Sequence, residues 1–271
     1  MSDINLSSAV RTSLTSLQST ANLLGQTQER LATGNRVNSA LDDPTAFFTA
    51  SALNNRASDL STLLDSQQQA IRTVEVADQG LSAISDLIDS ARAQATAALQ
   101  TDDAAARTAA GTAFNDILRQ IEGLAEDSSF NGTNLLEGDN LQVVFNESGD
   151  NTLTVSGVDL STASASAGLN LADVTFTDDA SINAALSAVD GALSTVRSTA
   201  ASLGADLSTI QVRQDFTSNL INTLEAGAGD LTLADLNEEG ANLLTLQTRQ
   251  QLASTSLSFA TQSQNSVLSL L

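Results

Sequence analysis

Apolar residues recur at alternating spacings of four and three residues along most of this 271-residue chain. The longest such series begins at Ala46 and continues, with one three-residue shift after Val74, to Ala98. A period of 3.5 residues places an apolar stripe on a helix that packs against other helices as in a coiled coil. A helix over residues 44 to 100 would be about 85 Å long at about 1.5 Å per residue. The pattern therefore predicts a mainly α fold, a long antiparallel coiled-coil helical rod.

Turn and capping signals divide this pattern into separate helices. Gly34 follows the first apolar series, and glycine is the usual residue just after a helix C-terminus. Asp43 and Pro44 are typical of the N-cap and the first position of a helix. We therefore expect the first helix to end at Gly34, residues 35–42 to form an irregular connector, and the long helix to begin at Pro44.

The later segments follow the same logic. Residues 101–103 (Thr-Asp-Asp) predict a turn and N-cap, followed by a shorter helix that ends near Asp127. Another apolar series covers residues 182–224, and we expect the glycines within residues 226–229 to break it. The last helix is then expected to begin near Thr232.

The stretch at about 130–180 differs from the helical segments. Residues 141–145 and 152–155 alternate in β-strand fashion, and the Ser-Gly-Asp-Asn stretch at 148–151 lies between them. This arrangement predicts a small β-hairpin in the middle of the chain. Residues 174–177 have the pattern of a third short strand.

Composition argues against an enzyme. The chain has no His and no Cys, and all eleven of its basic residues are Arg. These absences exclude imidazole bases, ordinary zinc or haem sites and lysine Schiff bases. Three acidic doublets, at 102–103, 178–179 and 238–239, lie at predicted helix N-termini, where the helix dipole favours negative charge. We predict no catalytic residue, no metal ligand and no cofactor.

Charge and hydropathy also limit the partners. A formal net charge of −21 disfavours binding to nucleic acid, which requires clustered basic residues, and binding to anionic membrane surfaces. The first eight residues lack the pattern of a cleaved signal peptide, and no run of 18 apolar residues is present.

Two pairs of oppositely charged residues, Asp89 with Arg92 and Asp103 with Arg107, are spaced three and four residues apart. They are predicted to be ordinary ion pairs along helices.

Both ends of the chain are almost free of charge. Residues 1–28 contain only Asp3 and Arg11 as charged residues, and residues 250–271 contain none. Two interpretations stay open: the terminal helices pack on each other with a neutral polar exterior, or they are buried a second time against other copies, since interface cores lose charge in this way. The predicted self-assembly seam contains Val10, Leu14, Leu17, Leu24, Leu31, Leu243, Leu246, Leu257, Val267 and Leu271.

Three motifs resemble those of the bacterial flagellins. Residues 28–44 read QERLATGNRVNSALDDP, which resembles the family pattern R-L-x-[ST]-G-x-R-[IV]-x-S-A-x-D-D. Residues 265–271, NSVLSLL, resemble its C-terminal N-x-V-L-S-L-L, and residues 132–136, GTNLL, resemble the element that opens its β region. The resemblance covers nearly the whole chain and is loosely similar to the alphaproteobacterial type.

The resemblance implies a domain organisation. Residues 1–32 and 231–271 would be the terminal D0 helices, residues 33–43 a connecting spoke, and residues 44–228 the D1 rod that carries the hairpin at about 130–180. No outer D2 or D3 domain is expected. The implied spoke and subunit contacts are Arg30, Gly34, Arg36, Asp42 and Asp43. Their charges either join neighbouring subunits or cap a helix start in solvent.

The resemblance also implies a function. The chain would be a structural subunit that is exported through the flagellar type III pathway and self-assembles into the extracellular filament. Its implied partners are other copies, an export chaperone, the filament cap and hook-associated proteins. O-glycans could be attached in residues 156–177 or at the turn around Ser128. Alternatives are a hook–filament junction protein, a soluble coiled-coil adaptor, or an enzyme built on the same helices.

Overall fold

The structure is a computed structural model that describes residues 8–161 and 168–268. About three quarters of the described residues are helical, and a two-stranded antiparallel sheet interrupts the helices. The prediction of a mainly α fold with a small hairpin is confirmed. In chain order the elements are α1 (Ser8–Thr33), α2 (Pro44–Leu99), α3 (Ala104–Asp127), β1 (Asn140–Val144), β2 (Thr152–Ser156), α4 (Asp179–Thr232) and α5 (Leu236–Leu268).

The end of α1 and the start of α2 lie where the sequence placed them. Gly34 adopts φ +73°, a conformation that favours glycine, and its N–H donates to the carbonyl of Arg30 at 2.8 Å. Asp43 caps α2, because its Oδ1 accepts a bond from the N–H of Ala46 at 3.0 Å. Pro44 then occupies the first helical position, where its missing N–H is tolerated.

The predicted break at residues 226–229 is wrong. Helix α4 continues through these residues to Thr232. A glycine within a helix costs only about 1 kcal/mol relative to Ala, and packing offsets this cost here, since Ala228 is buried. The break comes at Asp235, whose Oδ1 accepts a bond from the N–H of Asn237 at 2.8 Å, so α5 begins four residues later than expected.

The described chain divides into two compact units. The first, the terminal unit, contains the described parts of Met1–Asn55 and Thr223–Leu271. The second, the central unit, is Arg56–Asn222. Its core is one continuous apolar cluster drawn from α2, α3, the hairpin and α4, in which Ile88, Ile121 and Ile182 are fully buried.

The predicted hairpin is confirmed. In its antiparallel register Leu141 lies opposite Val155, and Val143 opposite Leu153. Val143 and Val155 are buried in the core of the central unit, which explains the alternation in the sequence. The connecting turn contains Gly149 at φ +76°.

The third strand predicted at residues 174–177 is absent from the described chain. The side chain of Asn115 in α3 takes the place of a partner strand here. Its Nδ2 donates to the carbonyl of Val174 at 3.1 Å, and its Oδ1 accepts from the N–H of Val174 at 3.0 Å. Because one amide side chain satisfies both backbone groups, the extended segment needs no sheet partner.

The pairing predicted between Asp103 and Arg107 is wrong. Asp103 is the N-cap of α3 and accepts from the N–H of Ala105 at 3.0 Å. The Arg107 guanidinium instead lies 2.6 Å from a carboxylate oxygen of Asp179 and 3.6 Å from one of Asp102. The side chain thereby connects the start of α3 with the start of α4.

The pairing predicted between Asp89 and Arg92 is also wrong. Arg92 in α2 pairs with Asp190 in α4, at 3.2 Å. Both side chains are about half exposed, so the pair contributes little to stability. Sequence spacing alone cannot show that a partner on another helix lies within reach.

Candidate functional site

Helices α1 and α5 pack against each other within the terminal unit. The pair is antiparallel, because Arg30 near the end of α1 meets Glu239 in the first turn of α5. The least exposed positions of α1 are Val10, Ser13, Leu17, Thr20, Leu24, Thr27, Arg30 and Leu31. Those of α5 are Glu239, Gly240, Leu243, Leu246, Gln250, Ala253, Leu257 and Ala260.

The contact face of α1 only partly follows the predicted seam. Val10, Leu17, Leu24 and Leu31 lie on it, but Leu14 is 39% exposed. Other positions of this contact face carry Ser or Thr, each three residues after an apolar residue, as Thr20 follows Leu17. The Thr20 hydroxyl donates to the carbonyl of Ser16 at 2.9 Å, so it can be buried without an unsatisfied donor.

The contact face of α5 contains the described residues of the predicted seam. Leu243, Leu246 and Leu257 all lie on it. Leu271 lies outside the described residues, as does the side chain of Val267. Leu236 is 52% exposed, since it is the first residue of α5 and precedes the contact.

The outer face of the helix pair carries several exposed apolar side chains and few charged ones. Leu244, Leu252 and Phe259 on α5 are each more than 60% exposed, and Leu14 and Leu23 on α1 are also exposed. The sequence has no charged residue at positions 12–28 or 250–271. A solvated helix face normally carries charged side chains, so this surface is typical of one that is covered by a partner.

The connector is held to the C-terminal end of α4 and to the short segment that follows it. The N–H of Arg36 donates to the carbonyl of Thr232 at 2.7 Å, and its Nη2 donates to the carbonyl of Leu231 at 2.9 Å. In return the N–H of Ala234 donates to the carbonyl of Gly34 at 3.0 Å. Arg36 and Gly34 therefore join two distant segments of one chain.

Asp42 and Asp43 both serve local structure within their own chain. Asp42 Oδ2 accepts from the N–H groups of Asn38 at 3.0 Å and Ser39 at 2.9 Å, and from the Ser39 hydroxyl at 3.2 Å. The backbone donor of Ser39, followed by that of Asn38, lowers the pKa of the Asp42 carboxyl. Asp43 is the N-cap of α2, as described above.

Arg30 and Glu239 form the ion pair that closes one end of the helix pair. Arg30 Nη1 donates to Glu239 Oε1 at 2.9 Å, and Glu239 is only 7% exposed. Sequence reasoning placed Glu239 only at a favourable helix N-terminus and missed its role as a buried partner. The signal that could have found it is its heptad position, seven residues before Leu246 on the apolar stripe of α5.

The described ranges, 8–161 and 168–268, also bear on metal, membrane and glycan sites. These residues contain no group of three or more acidic side chains that could hold a metal ion, and no helix long and apolar enough to cross a membrane. Ser128 is buried, and its hydroxyl donates to the carbonyl of Leu124 at 2.6 Å, so this side chain is not available to a glycan.

Comparisons with known proteins identify the family. Residues 4–141 match the bacterial flagellin N-terminal helical region, and residues 186–271 match the bacterial flagellin C-terminal helical region. Flagellin FljK of Caulobacter vibrioides is 31% identical over 279 residues, covering 100% of this chain and 98% of the relative. A flagellin of Brucella melitensis is 30% identical over 283 residues, covering 100% and 99%.

A solved structure supports the fold. The crystal structure of Bacillus cereus flagellin matches with a TM-score of 0.50 at 19% identity, covering 56% of this chain and 88% of that chain. The full-length relatives are flagellins, which does not favour the alternative of a hook-associated protein. The chain therefore belongs to the bacterial flagellin family and is a structural subunit of the flagellar filament.

Proposed function

We propose that the terminal helices, residues 1–32 and 231–271, carry the subunit contacts that build the filament. Residues 33–43 then join these helices to a rod formed by residues 44–228. Only residues 128–178 separate α3 from α4, which supports a subunit without an outer domain. The observation that carries the proposal is the outer face of the α1–α5 pair, where large apolar side chains meet solvent and charged side chains are few.

The energetics of this face favour association. Burying an exposed Leu or Phe side chain contributes about 1.5–3 kcal/mol, and Leu244, Leu252 and Phe259 offer three such side chains on α5 alone. The loss of rotational and translational freedom on association opposes this gain. Copies with a net charge of −21 also repel each other, so a contact face built largely from the uncharged residues 12–28 and 250–271 keeps most of that repulsion away from the interface.

The same surfaces imply partners before and after assembly. The monomer would leave the cell through the flagellar type III pathway and add to the extracellular filament, with an export chaperone covering an apolar terminal helix beforehand. The filament cap and hook-associated proteins would contact the ends of the polymer. Family membership supports these steps. Co-purification of a chaperone with wild-type protein, and its loss with a variant truncated before α5, would test the first of them.

O-glycosylation is proposed for the Ser/Thr-rich residues 156–177, of which 162–167 lie outside the described residues. At the turn near Ser128, the exposed neighbour Ser129 takes the place of the buried Ser128 as the candidate. Intact mass spectrometry of filaments from the native host is the test. A mass equal to that of the bare chain would refute this part of the proposal.

The central experiment measures seeded polymerisation of Leu252→Ser and Phe259→Ser. Each substitution removes an apolar side chain that the monomer leaves in water, so the monomer should keep its helical content. The critical concentration for growth on short filament seeds should rise about 10- to 150-fold for each variant, the factor that corresponds to about 1.5–3 kcal/mol. Sedimentation of the polymer gives the critical concentration.

Gln251→Ser is the matched control, because Gln251 is an exposed polar residue beside Leu252. Its critical concentration should stay at the wild-type value. Unchanged polymerisation of both apolar variants would refute the assignment of the contact face. Short rings in place of long filaments, seen by negative-stain electron microscopy, would favour the junction protein.

A further inference from the structure

Leu41 in the connector is the most exposed large apolar side chain of the described residues. Its side chain is 95% exposed, whereas the next such residue, Phe259, is 68% exposed. Single exposed leucines are common on protein surfaces. Leu41 differs because the backbone that carries it is held in place by several hydrogen bonds.

These bonds converge on the residues beside Leu41. Asp42 Oδ2 accepts the three bonds from Asn38 and Ser39 described above, and the N–H of Asp42 donates to the carbonyl of Ser39 at 3.1 Å. The N–H of Leu41 donates to the Ser39 hydroxyl at 3.3 Å. A side chain on such an ordered turn binds a partner with little further loss of backbone entropy.

The terminal unit also contains a groove that suits such a side chain. It lies between α1 and α5, next to the Arg30–Glu239 ion pair, and has a volume of about 290 Å³. Leu23, which is 46% exposed, and the buried Leu246 line its apolar wall. This volume exceeds the roughly 150 Å³ cavity that loss of one large core side chain leaves, so the groove can admit a leucine.

The charges around the two features are complementary. Arg249 lines the groove and forms no ion pair among the described residues. Leu41 is followed directly by Asp42 and Asp43. Asp42 uses Oδ2 in the turn, and its Oδ1 accepts no bond from the described chain. Leu41 therefore matches the apolar wall of the groove, and the carboxylate of Asp42 matches the guanidinium of Arg249 beside that wall.

We propose that Leu41 of one copy inserts into the α1–α5 groove of a second copy, whose Arg249 then pairs with Asp42 of the first. The inference rests on the proposed function, in which the terminal helices carry the subunit contacts. Inserted residue and groove are different surfaces of the same chain, so the contact is heterologous. Contacts of this kind repeat head to tail and give an open polymer.

The natural absence of cysteine makes a direct test possible. Leu41→Cys and Thr245→Cys are made as separate variants, mixed in equal amounts, polymerised on wild-type seeds and oxidised. Thr245 is an exposed residue that lines the groove. Because a disulfide requires Cα atoms about 4.4–6.8 Å apart, a dimer band on a non-reducing gel reports direct contact. Gln26→Cys on α1 repeats the test from the other wall.

The expected result is a dimer band that is present in mixed filaments and absent from mixed monomers at the same concentration. Thr62→Cys, an exposed position on α2 in the central unit, replaces Leu41→Cys in the control mixture and should give no dimer. Filaments that incorporate both variants without a cross-link from either wall would overturn this contact and leave the proposed function standing. Failure of wild-type protein to polymerise on seeds would overturn both.

A second measurement does not depend on cross-linking. Leu41→Ala should raise the critical concentration about 10- to 30-fold, since it removes most of the inserted side chain. Leu41→Met keeps the apolar volume and should stay within about 3-fold of wild type. The fold of the monomer should not change in either variant, because the Leu41 side chain contacts so little of its own chain. Equal critical concentrations for Ala and wild type would overturn the proposal.

Discussion

Gly80 lies within α2 and faces Ser128, the C-cap residue of α3. A Cβ atom added there would overlap Ser128 Oγ, and would lie 2.9 Å from Leu136 Cδ1 and 3.0 Å from Ser128 Cβ. Real Cβ atoms hardly ever make contacts this short, so Gly80→Ala requires Ser128 or Leu136 to move. We predict that this substitution destabilises the central unit, although alanine is the better helix former.

Two opposing effects decide the sign. Replacing glycine by alanine within a helix gains about 0.8–1.0 kcal/mol. Inserting a methyl group into a packed site costs about 1–3 kcal/mol. Ser128 cannot move freely, because it is buried and its hydroxyl donates to the carbonyl of Leu124, and loss of that bond costs about 1–3 kcal/mol. The net expectation is a loss of about 1–5 kcal/mol in the free energy of unfolding.

Gly191 provides the matched control. It lies within α4, is exposed, and would place its added Cβ in open space, with no atom within 4 Å. Gly191→Ala should therefore show only the propensity gain and stabilise by about 0.8–1.0 kcal/mol. The same chemical change is thus expected to act with opposite signs at two helical positions of the central unit.

Urea unfolding of monomers, followed by far-UV circular dichroism in the absence of seeds, measures both variants. Equal m-values are needed for the comparison, since a changed slope would report a changed unfolded state. The reasoning is refuted if Gly80→Ala is as stable as wild type or more stable. It is also refuted if both variants shift in the same direction by similar amounts.

Three further predictions concern polar contacts. A backbone hydrogen bond at Glu147, followed by the bond that Arg56 Nε donates at 2.6 Å, lowers the pKa of the Glu147 carboxyl from its ordinary value of 4.5. The ionised carboxylate therefore stabilises the fold fully at pH values above 4.5. This stabilisation is lost as the pH falls through the lowered pKa. Urea midpoints of Glu147→Gln and wild type should accordingly differ above pH 4.5 and converge in acid. Arg30→Ala leaves the buried Glu239 without its cation, so hydrogen exchange at the α1–α5 contact should accelerate about 5- to 150-fold, equivalent to about 1–3 kcal/mol. Asp103→Ala removes the N-cap of α3 and should lower the free energy of unfolding by about 0.5–2 kcal/mol, measured by urea titration.

The sequence predicted most helix boundaries because their signals are local. Gly34 ends α1, Asp43 and Pro44 begin α2, and Asp103 begins α3, each through bonds to residues within four positions. The prediction failed at residues 226–229, where the cost of two glycines in a helix is small and burial of the intervening alanine offsets it. It also failed at residues 174–177, where Asn115, nearly sixty residues away, replaces a partner strand.

The candidate site was predicted in outline. A heptad series fixes one apolar position well, as at Leu17 and Leu24, but leaves the alternate position ambiguous by one residue. The apolar side chain of Leu14 favoured that residue for the contact face, but in the structure Ser13 and Thr20 occupy these positions of the contact face. Threonine can be buried there because its hydroxyl bonds to its own helix, a possibility that hydrophobicity alone does not reveal.

What the sequence by itself determined is the set of properties that depend on near neighbours and on composition. These are most helix boundaries, the 3.5-residue period of the helices, and two chain ends with almost no charge. The tertiary structure alone decided which face of α1 meets α5, that Glu239 is the buried partner of Arg30, and that Leu41 stands in solvent beside a turn built by Asp42. The Arg30–Glu239 pair joins positions 209 residues apart, and packing and burial decide which distant segments meet.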